Sequence, residues 1–235
     1  MPKNILKNVT HICHDWDGVY THYTDHDAFW KMTGKLAVEA KIFTNEQEAE
    51  KIIRDIYFNS QKTDKPYHTA YDILHQEYGL PLDYCVKRHH EILFQEFQSS
   101  FKVVEGIPKF MQELSHLKHI VLTHSNYYWV DSWSSLAGTR GYYDHIICNV
   151  EEGLGRKDKD LHLYSTLETR LDVNPENCLL IDDSIVGLKK AKEAGWITVW
   201  CKSNDNVSPD MNAPEYIDLS YTCVKDFLRD LIKYT

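Results

Sequence analysis

Short apolar runs separated by helical patterns dominate the chain from about residue 100 onward. Residues 9–14, 119–123, 145–149, 178–181 and 197–201 are short, rich in β-branched residues and bounded by polar residues or glycine, as buried strands are. Between them, residues 107–117 place Ile107, Phe110, Met111, Leu114 and Leu117 at helical spacing, and residues 161–171 do the same with Leu163, Leu167 and Leu171. A third helical pattern, 186–194, stops at Gly195, and an amphipathic stretch, 224–233, closes the chain. Strands alternating with helices predict an α/β fold with a parallel sheet covered on both faces.

One region departs from this rhythm. From about residue 21 to residue 100 the pattern shows no strand, only helical stretches such as 46–58, 67–78 and 82–97. The expectation is a core of residues 1–20 and 101–235 interrupted by a helical cap of residues 21–100. An insertion at the carboxyl end of a strand overhangs the edge where open α/β sheets bind ligands. The loop 202–213, rich in Asn, Ser and Asp, is the segment expected to move.

Composition narrows the partners. The chain has 235 residues, is 43% hydrophobic and 26% charged, and carries a formal net charge of −9. Such a charge argues against a nucleic-acid polymer but leaves room for a small anion at a locally positive site. The six cysteines lie far apart, and Cys13, Cys148, Cys178 and Cys201 fall in or beside strand patterns, so buried free thiols are expected. No stretch approaches the ~20 apolar residues that span a bilayer, and no signal-peptide pattern opens the chain. The resulting expectation is a soluble protein of the reducing cytoplasm, with no membrane partner.

The chemistry sits at strand ends. Asp15 and Asp17 follow the first apolar run, with Gly18 next; Thr123 ends the second; Arg156-Lys157, with Lys159 close by, follows the third; Asp182-Asp183 ends the fourth. In a parallel sheet these ends share one edge, so residues distant in sequence can form one site. Carboxylates drawn within ~4 Å repel by about 4 kcal/mol per pair at an effective dielectric of roughly 20, which calls for protonation or a cation. Oxygen ligands without histidine or cysteine at ligand spacing favour Mg²⁺. A lysine and a hydroxyl facing that metal complete a receptor for a phosphoryl group, with one aspartate free to attack phosphorus and another to move the proton.

Asp15-x-Asp17-Gly18-Val19, Thr123, Lys157 and Asp182-Asp183, in that order, resemble motifs I to IV of the haloacid dehalogenase-like (HAD) hydrolase superfamily. The likeness spans about residues 9–19 and 104–200. The resemblance implies an α/β, Rossmann-like parallel-sheet core with an inserted all-helical cap. It also implies a phosphatase acting on a small phosphorylated metabolite, a nucleotide or sugar phosphate, through an aspartyl-phosphate. Asp15 would be the nucleophile, Asp17 the general acid/base, and Thr123 and Lys157 the phosphate ligands. Asp15, the backbone carbonyl of Asp17, and Asp183 would bind Mg²⁺, with Asp182 assisting. Dehalogenases of the superfamily lack an acid at the position of Asp17, so its presence implies phosphoryl chemistry.

Motif III departs from the family pattern. Glu151-Glu152-Gly153-Leu154-Gly155-Arg156-Lys157 is followed by Asp158 where proline is usual, so Lys157 is favoured and Lys159 competes with it. His14 occupies a usually apolar position and is read as a tolerated strand-end histidine. The cap's location is similar to that of the C1-cap branch. Residues 46–55 and 71–82 resemble pyrimidine 5′-nucleotidase-like members, and Gly18-Val19 is similar to sugar-phosphate phosphatases and mutases.

Each feature alone also has a plain structural explanation: a turn for Asp15-x-Asp17, a helix cap for Asp182-Asp183, a surface charge for Lys157. Their joint placement on one sheet edge is what carries the chemistry. His22 and His26 have helical spacing but no third ligand, so exposed histidines are expected. Tyr20, Tyr23, Phe29 and Trp30 are read as packing or pocket residues, and Tyr127, Tyr128 and Trp129 as packing for the following helix. The alternatives to a phosphatase are a phosphomutase of the same superfamily and a non-catalytic phospho-ligand-binding protein. A response-regulator receiver uses similar residues but places its acidic pair first, on a chain about half as long.

Overall fold

In the computed structural model, which describes residues 2–25, 27–63, 67, 69–202 and 212–235, the side chains of residues 2–4 and 23 are also outside the description. His26 and most of the loop 202–213 therefore lie outside the described residues. The chain divides into two units, Met1–His22 with Val103–Thr235, and Tyr23–Lys102.

Strands β1 (His11–His14) and β2 (Thr21–Tyr23) come first, followed by helices α1 (Ala28–Glu39), α2 (Glu46–Ser60), α3 (Ala70–Gln76) and α4 (Leu82–Ile92). After β3 (Phe101–Val103) the chain runs α5 (Ile107–Glu113), β4 (Lys118–Thr123), α6 (Tyr127–Leu136) and β5 (His145–Cys148). It continues with α7 (Leu161–Leu171), β6 (Cys178–Asp182), α8 (Ile185–Glu193), β7 (Ile197–Cys201), β8 (Leu219–Tyr221) and α9 (Val224–Leu231).

Six strands form one parallel sheet in the order β5-β4-β1-β6-β7-β8, while β2 and β3 pair separately. This is the α/β, Rossmann-like parallel sheet expected from the alternation of runs. β1 is central, with β4 on one side and β6 on the other, so the strands that carry the candidate residues are immediate neighbours. The central strands are buried on both faces, which is why they read as continuous apolar runs.

Register decides which side chains share a face. Cys13 pairs with Ile120 on β4 and Leu180 on β6. Because successive residues alternate faces, Cys13, Ile120, Leu122, Cys178 and Leu180 point together into a core completed by Leu163, Tyr164, Leu167, Leu188 and Trp200. At roughly 25 cal/mol per Å², each fully buried Leu or Ile in that cluster contributes about 2 kcal/mol before ordering costs.

The helical unit has its own core, including Met32, Leu36, Ile53, Ile73, Leu74, Cys85, Ile92 and Leu93. Helix α2 starts where the Asn45 side chain accepts a hydrogen bond from the Glu48 N–H, and α3 starts with a capping box between Thr69 and Asp72. Gly34 lies where α1 meets α2: a Cβ there would stand 2.5 Å from the Glu46 carbonyl oxygen.

Several boundaries differ from the expectations. The helical pattern 107–117 ends at Glu113, because Leu114 turns the chain with Leu117 N–H donating to its carbonyl. The pattern 82–97 is α-helical only to Ile92; Leu93–Phe97 continue as a wider π-type turn. The three-residue strands β2, β3 and β8 are too short to show periodicity, and β2 corrects the expectation that no strand follows residue 21. Cys13, Cys148, Cys178 and Cys201 are buried free thiols, as expected. Among the described residues, no helix is long and apolar enough to cross a membrane.

Candidate active site

The loop after β1 is shaped by three local devices. The Asp15 N–H donates to the Ile181 carbonyl at 2.9 Å, extending the β1–β6 ladder by one residue and keeping Asp15 on the face of Cys13. Trp16 is fully buried, stacks on Tyr20 at 5.4 Å and meets Tyr143 edge-on, anchoring the loop between its two aspartates. Gly18 then turns the chain at φ +78°, its N–H bonded to the Thr21 carbonyl at 2.9 Å. A Cβ at Gly18 would overlap the Asp183 carboxylate, so glycine is what lets the loop after β1 approach the loop after β6.

Lys157 is the centre of the cluster. Its ammonium lies 2.6 Å from Asp15 Oδ1, 2.8 Å from Asp182 Oδ2 and 3.2 Å from the Leu122 carbonyl, so all three of its N–H donors are engaged. The lysine is 3% exposed and Asp182 fully buried. Burial by itself lowers the lysine pKa, but Asp15 and Asp182 together outweigh it and hold the group well above its ordinary value. The Asp15 carboxyl is pushed well above the usual range, first by burial, then by Asp182 and Asp183, with Lys157 opposing. Tyr164 fixes the lysine loop, its single hydroxyl hydrogen shared between the carbonyls of Lys157 and Gly187 at 3.0 and 3.2 Å.

Asp15, Asp182 and Asp183 each offer a carboxylate oxygen within 4.8 Å of the others. Three carboxylates against one ammonium leave a surplus of negative charge in a largely buried place. An all-oxygen donor set of this kind fits a hard divalent cation such as Mg²⁺. Asp182 is oriented at both ends, with Oδ1 accepting from the Ser184 N–H at 2.8 Å at the start of α8.

Asp17 has different surroundings. Its Oδ1 accepts hydrogen bonds from Thr21 Oγ1 at 2.8 Å and from Trp129 Nε1 at 2.7 Å, and its Oδ2 accepts one from the Ser125 hydroxyl. The two aspartates of one loop are thus held by separate sets of groups: Asp15 by the ammonium, Asp17 by three neutral donors.

Thr123 is buried at the end of β4, and its hydroxyl accepts the Ser125 N–H at 3.1 Å, shaping the turn that presents Ser125. Lys159 is exposed, so of the two candidate lysines Lys157 is the one brought to the carboxylates. Arg156 pairs with Asp158, the residue that stands in place of proline. The intervening loop is tied back by the Asp160 carboxylate, which accepts the Arg156 N–H at 2.7 Å.

Two functional neighbours escaped sequence reading. Trp129 is buried on α6 and reaches Asp17, whereas Tyr127 and Tyr128 of the same helix are exposed. His124 Nε2 accepts the Lys157 backbone N–H at 3.0 Å, locking the loop after β4 to the lysine loop. Burial, aided by Lys157 and Arg156, pushes the His124 pKa down to about 4 and keeps the ring neutral, as an acceptor nitrogen requires. Nothing in the sequence spacing links residue 129 to 17 or 124 to 157.

His14 is more than a tolerated strand-end residue. It lies on the sheet face opposite Asp15, where Tyr20 Oη stands 2.6 Å from its Nδ1 and His119 Nδ1 stands 3.0 Å from its Nε2. His119 Nε2 donates to the Leu114 carbonyl at 3.1 Å, so one proton arrangement satisfies the whole row with both rings neutral. Phe29 packs against Tyr71 and His89, and Trp30 against Tyr57 and Phe58, inside the helical unit.

Comparison with known proteins fits this geometry. Residues 9–195 match the family model described as haloacid dehalogenase-like hydrolase. The chain is similar in structure to a HAD phosphatase from Thermococcus onnurineus, with a TM-score of 0.63, 18% identity, and coverage of 95% of this chain and 98% of that one. It is also similar to an L-2-haloacid dehalogenase from Xanthobacter autotrophicus, with a TM-score of 0.57, 12% identity, and coverage of 94% and 97%. No curated protein matches it.

Proposed function

The chain belongs to the haloacid dehalogenase-like hydrolase family, and on that premise we propose that it is a Mg²⁺-dependent phosphatase of small phosphomonoesters. The observation that carries this reading is the division of labour within one loop, with Asp15 against Lys157 and Asp17 among Thr21, Ser125 and Trp129. An alkoxide or phenoxide leaving group needs a proton, whereas a halide departs without one. A second carboxyl group held ready two residues after the nucleophile therefore supports phosphoryl transfer over dehalogenation.

In this reading an Asp15 carboxylate oxygen attacks phosphorus, forming the O–P bond of an acyl phosphate as the bond from phosphorus to the leaving oxygen breaks. Asp17 donates its proton to that oxygen. It then takes a proton from the water that attacks the phosphorus of the aspartyl-phosphate, releasing phosphate and free Asp15. Lys157 orients Asp15 and offsets the charge gathered around it, and Thr123 shapes the loop that faces the phosphoryl group. Asp15, Asp182, Asp183 and the Asp17 backbone carbonyl would hold Mg²⁺, which when bound supplies charge neutralisation at the phosphoryl oxygens. Substrate choice is assigned to the inserted helical unit, which enters the chain directly after this loop. The substrate is a small phosphorylated metabolite such as a nucleotide or sugar phosphate.

The test is phosphate release from p-nitrophenyl phosphate and from a panel of nucleotides and sugar phosphates, with Mg²⁺. Asp15→Asn is expected to lower turnover at least ~10³-fold while leaving the thermal transition in place. Substantial residual turnover would remove Asp15 as nucleophile. Isomerised product without released phosphate would point to a mutase.

A further inference from the structure

We propose that Trp129 is the positioning residue for Asp17, an inference that rests on the hydrolase reading above. The indole N–H and the Thr21 hydroxyl both donate to Oδ1, at 2.7 and 2.8 Å, while among the described residues Oδ2 receives the Ser125 hydroxyl alone. The two oxygens are therefore not equivalent. Oδ1 is fixed by an indole that is 4% exposed and has no rotatable donor hydrogen. Ser125 is a single-bond rotor on the turn capped by Thr123, and its hydroxyl hydrogen can swing away. Oδ2 is thus the oxygen that exchanges Ser125 for the leaving-group oxygen and delivers the proton. Oδ1 stays anchored, setting the plane of the carboxyl group.

Helix α6 makes the anchor stiff. Its N-terminus is capped by the Asn126 side chain, which accepts the Trp129 backbone N–H at 2.9 Å, and the indole packs edge-on against Trp133 at 5.7 Å. The first turn of α6 thereby holds both ends of Trp129, backbone and ring. A group that must transfer a proton along a defined line gains from such fixing, because small misplacements cost large factors in rate.

The experiment compares two esters on the same preparations. Dinitrophenolate leaves 2,4-dinitrophenyl phosphate without needing a proton, whereas phenyl phosphate, whose phenol has a pKa of about 10, needs one. Trp129→Phe is expected to lower kcat/KM for phenyl phosphate by about ten- to a hundredfold and for the dinitrophenyl ester by less than about threefold. The ratio between esters is unaffected by any loss of folded enzyme. In an Asp17→Asn background, which should show the same leaving-group pattern, adding Trp129→Phe should change the ratio no further, since Trp129 acts through Asp17. Equal losses on both esters, or a full additional loss in the double variant, would overturn the Trp129 assignment alone. A wild-type protein that hydrolyses neither ester would overturn the hydrolase reading and take the role of Trp129 with it.

Discussion

Gly18 is the residue on which the approach of Asp183 to the Asp15 loop depends. At φ +78° an L side chain pays roughly 1–2 kcal/mol, and a Cβ here would also overlap the Asp183 carboxylate. Gly18→Ala is therefore expected to displace Asp183, lowering kcat/KM more than tenfold and raising the Mg²⁺ concentration for half-activity, at a stability cost of about 1–3 kcal/mol. Kinetics across a Mg²⁺ titration, with urea unfolding alongside, check this; an unchanged metal requirement would contradict it. The aspartates, the glycine and Lys157 were legible because their spacing after apolar runs is a local property. Trp129 and His124 were not, since an indole in a helix's first turn or an imidazole just after a strand reads equally well as packing.

At the scale of elements, apolar length decided what could be read. Strands of four to six residues, such as β1, β4 and β6, are buried on both faces and stand out as unbroken runs. β2, β3 and β8 have three residues each, and β8 is only half-buried, so neither run nor alternation marks them. In the helical unit the α1–α2 contact turns on Gly34, a residue that sequence reading treats as a weak helix former. Gly34→Ala improves intrinsic helix propensity by about 1 kcal/mol, yet its Cβ would stand 2.5 Å from the Glu46 carbonyl. The steric effect wins, since the obstacle is backbone: net destabilisation of about 1–3 kcal/mol is expected, read from the urea midpoint. A rise in stability would show that α1 and α2 separate freely.

For the whole molecule, buried neutral histidines couple folding to pH. Burial holds the pKa values of His14 and His119 below the ordinary 6.5, takes His124 to about 4 and His89 to about 3. Unfolded, these groups take up protons as pH falls below 6.5; folded, they do so only at lower pH. Stability is thus fully present above about pH 7 and is lost as pH falls toward 4. Asp15, raised by burial, works in the opposite sense, while His11, Asp144 and Asp158, each held below its ordinary value, add to the histidines' direction. Urea midpoints should fall steadily from pH 7.5 to 5, and His124→Gln should flatten part of that slope; a level profile would contradict the neutral assignments.

Periodicity and spacing determined the parallel α/β core, the inserted helical stretch, and the aspartates and lysine that meet at one sheet edge. Those are consequences of each residue's own element: apolar runs must be buried, and parallel strands end on a common edge. Partnership is different, because it depends on strand order and register. The β5-β4-β1-β6 order brings the lysine loop to Asp15 and Asp182, pairs His14 with His119, and sets Trp129 on Asp17; the fold of that loop then presents Lys157 rather than Lys159. A hydrogen bond across more than a hundred residues leaves no periodic trace in the chain, so only the tertiary structure could decide it.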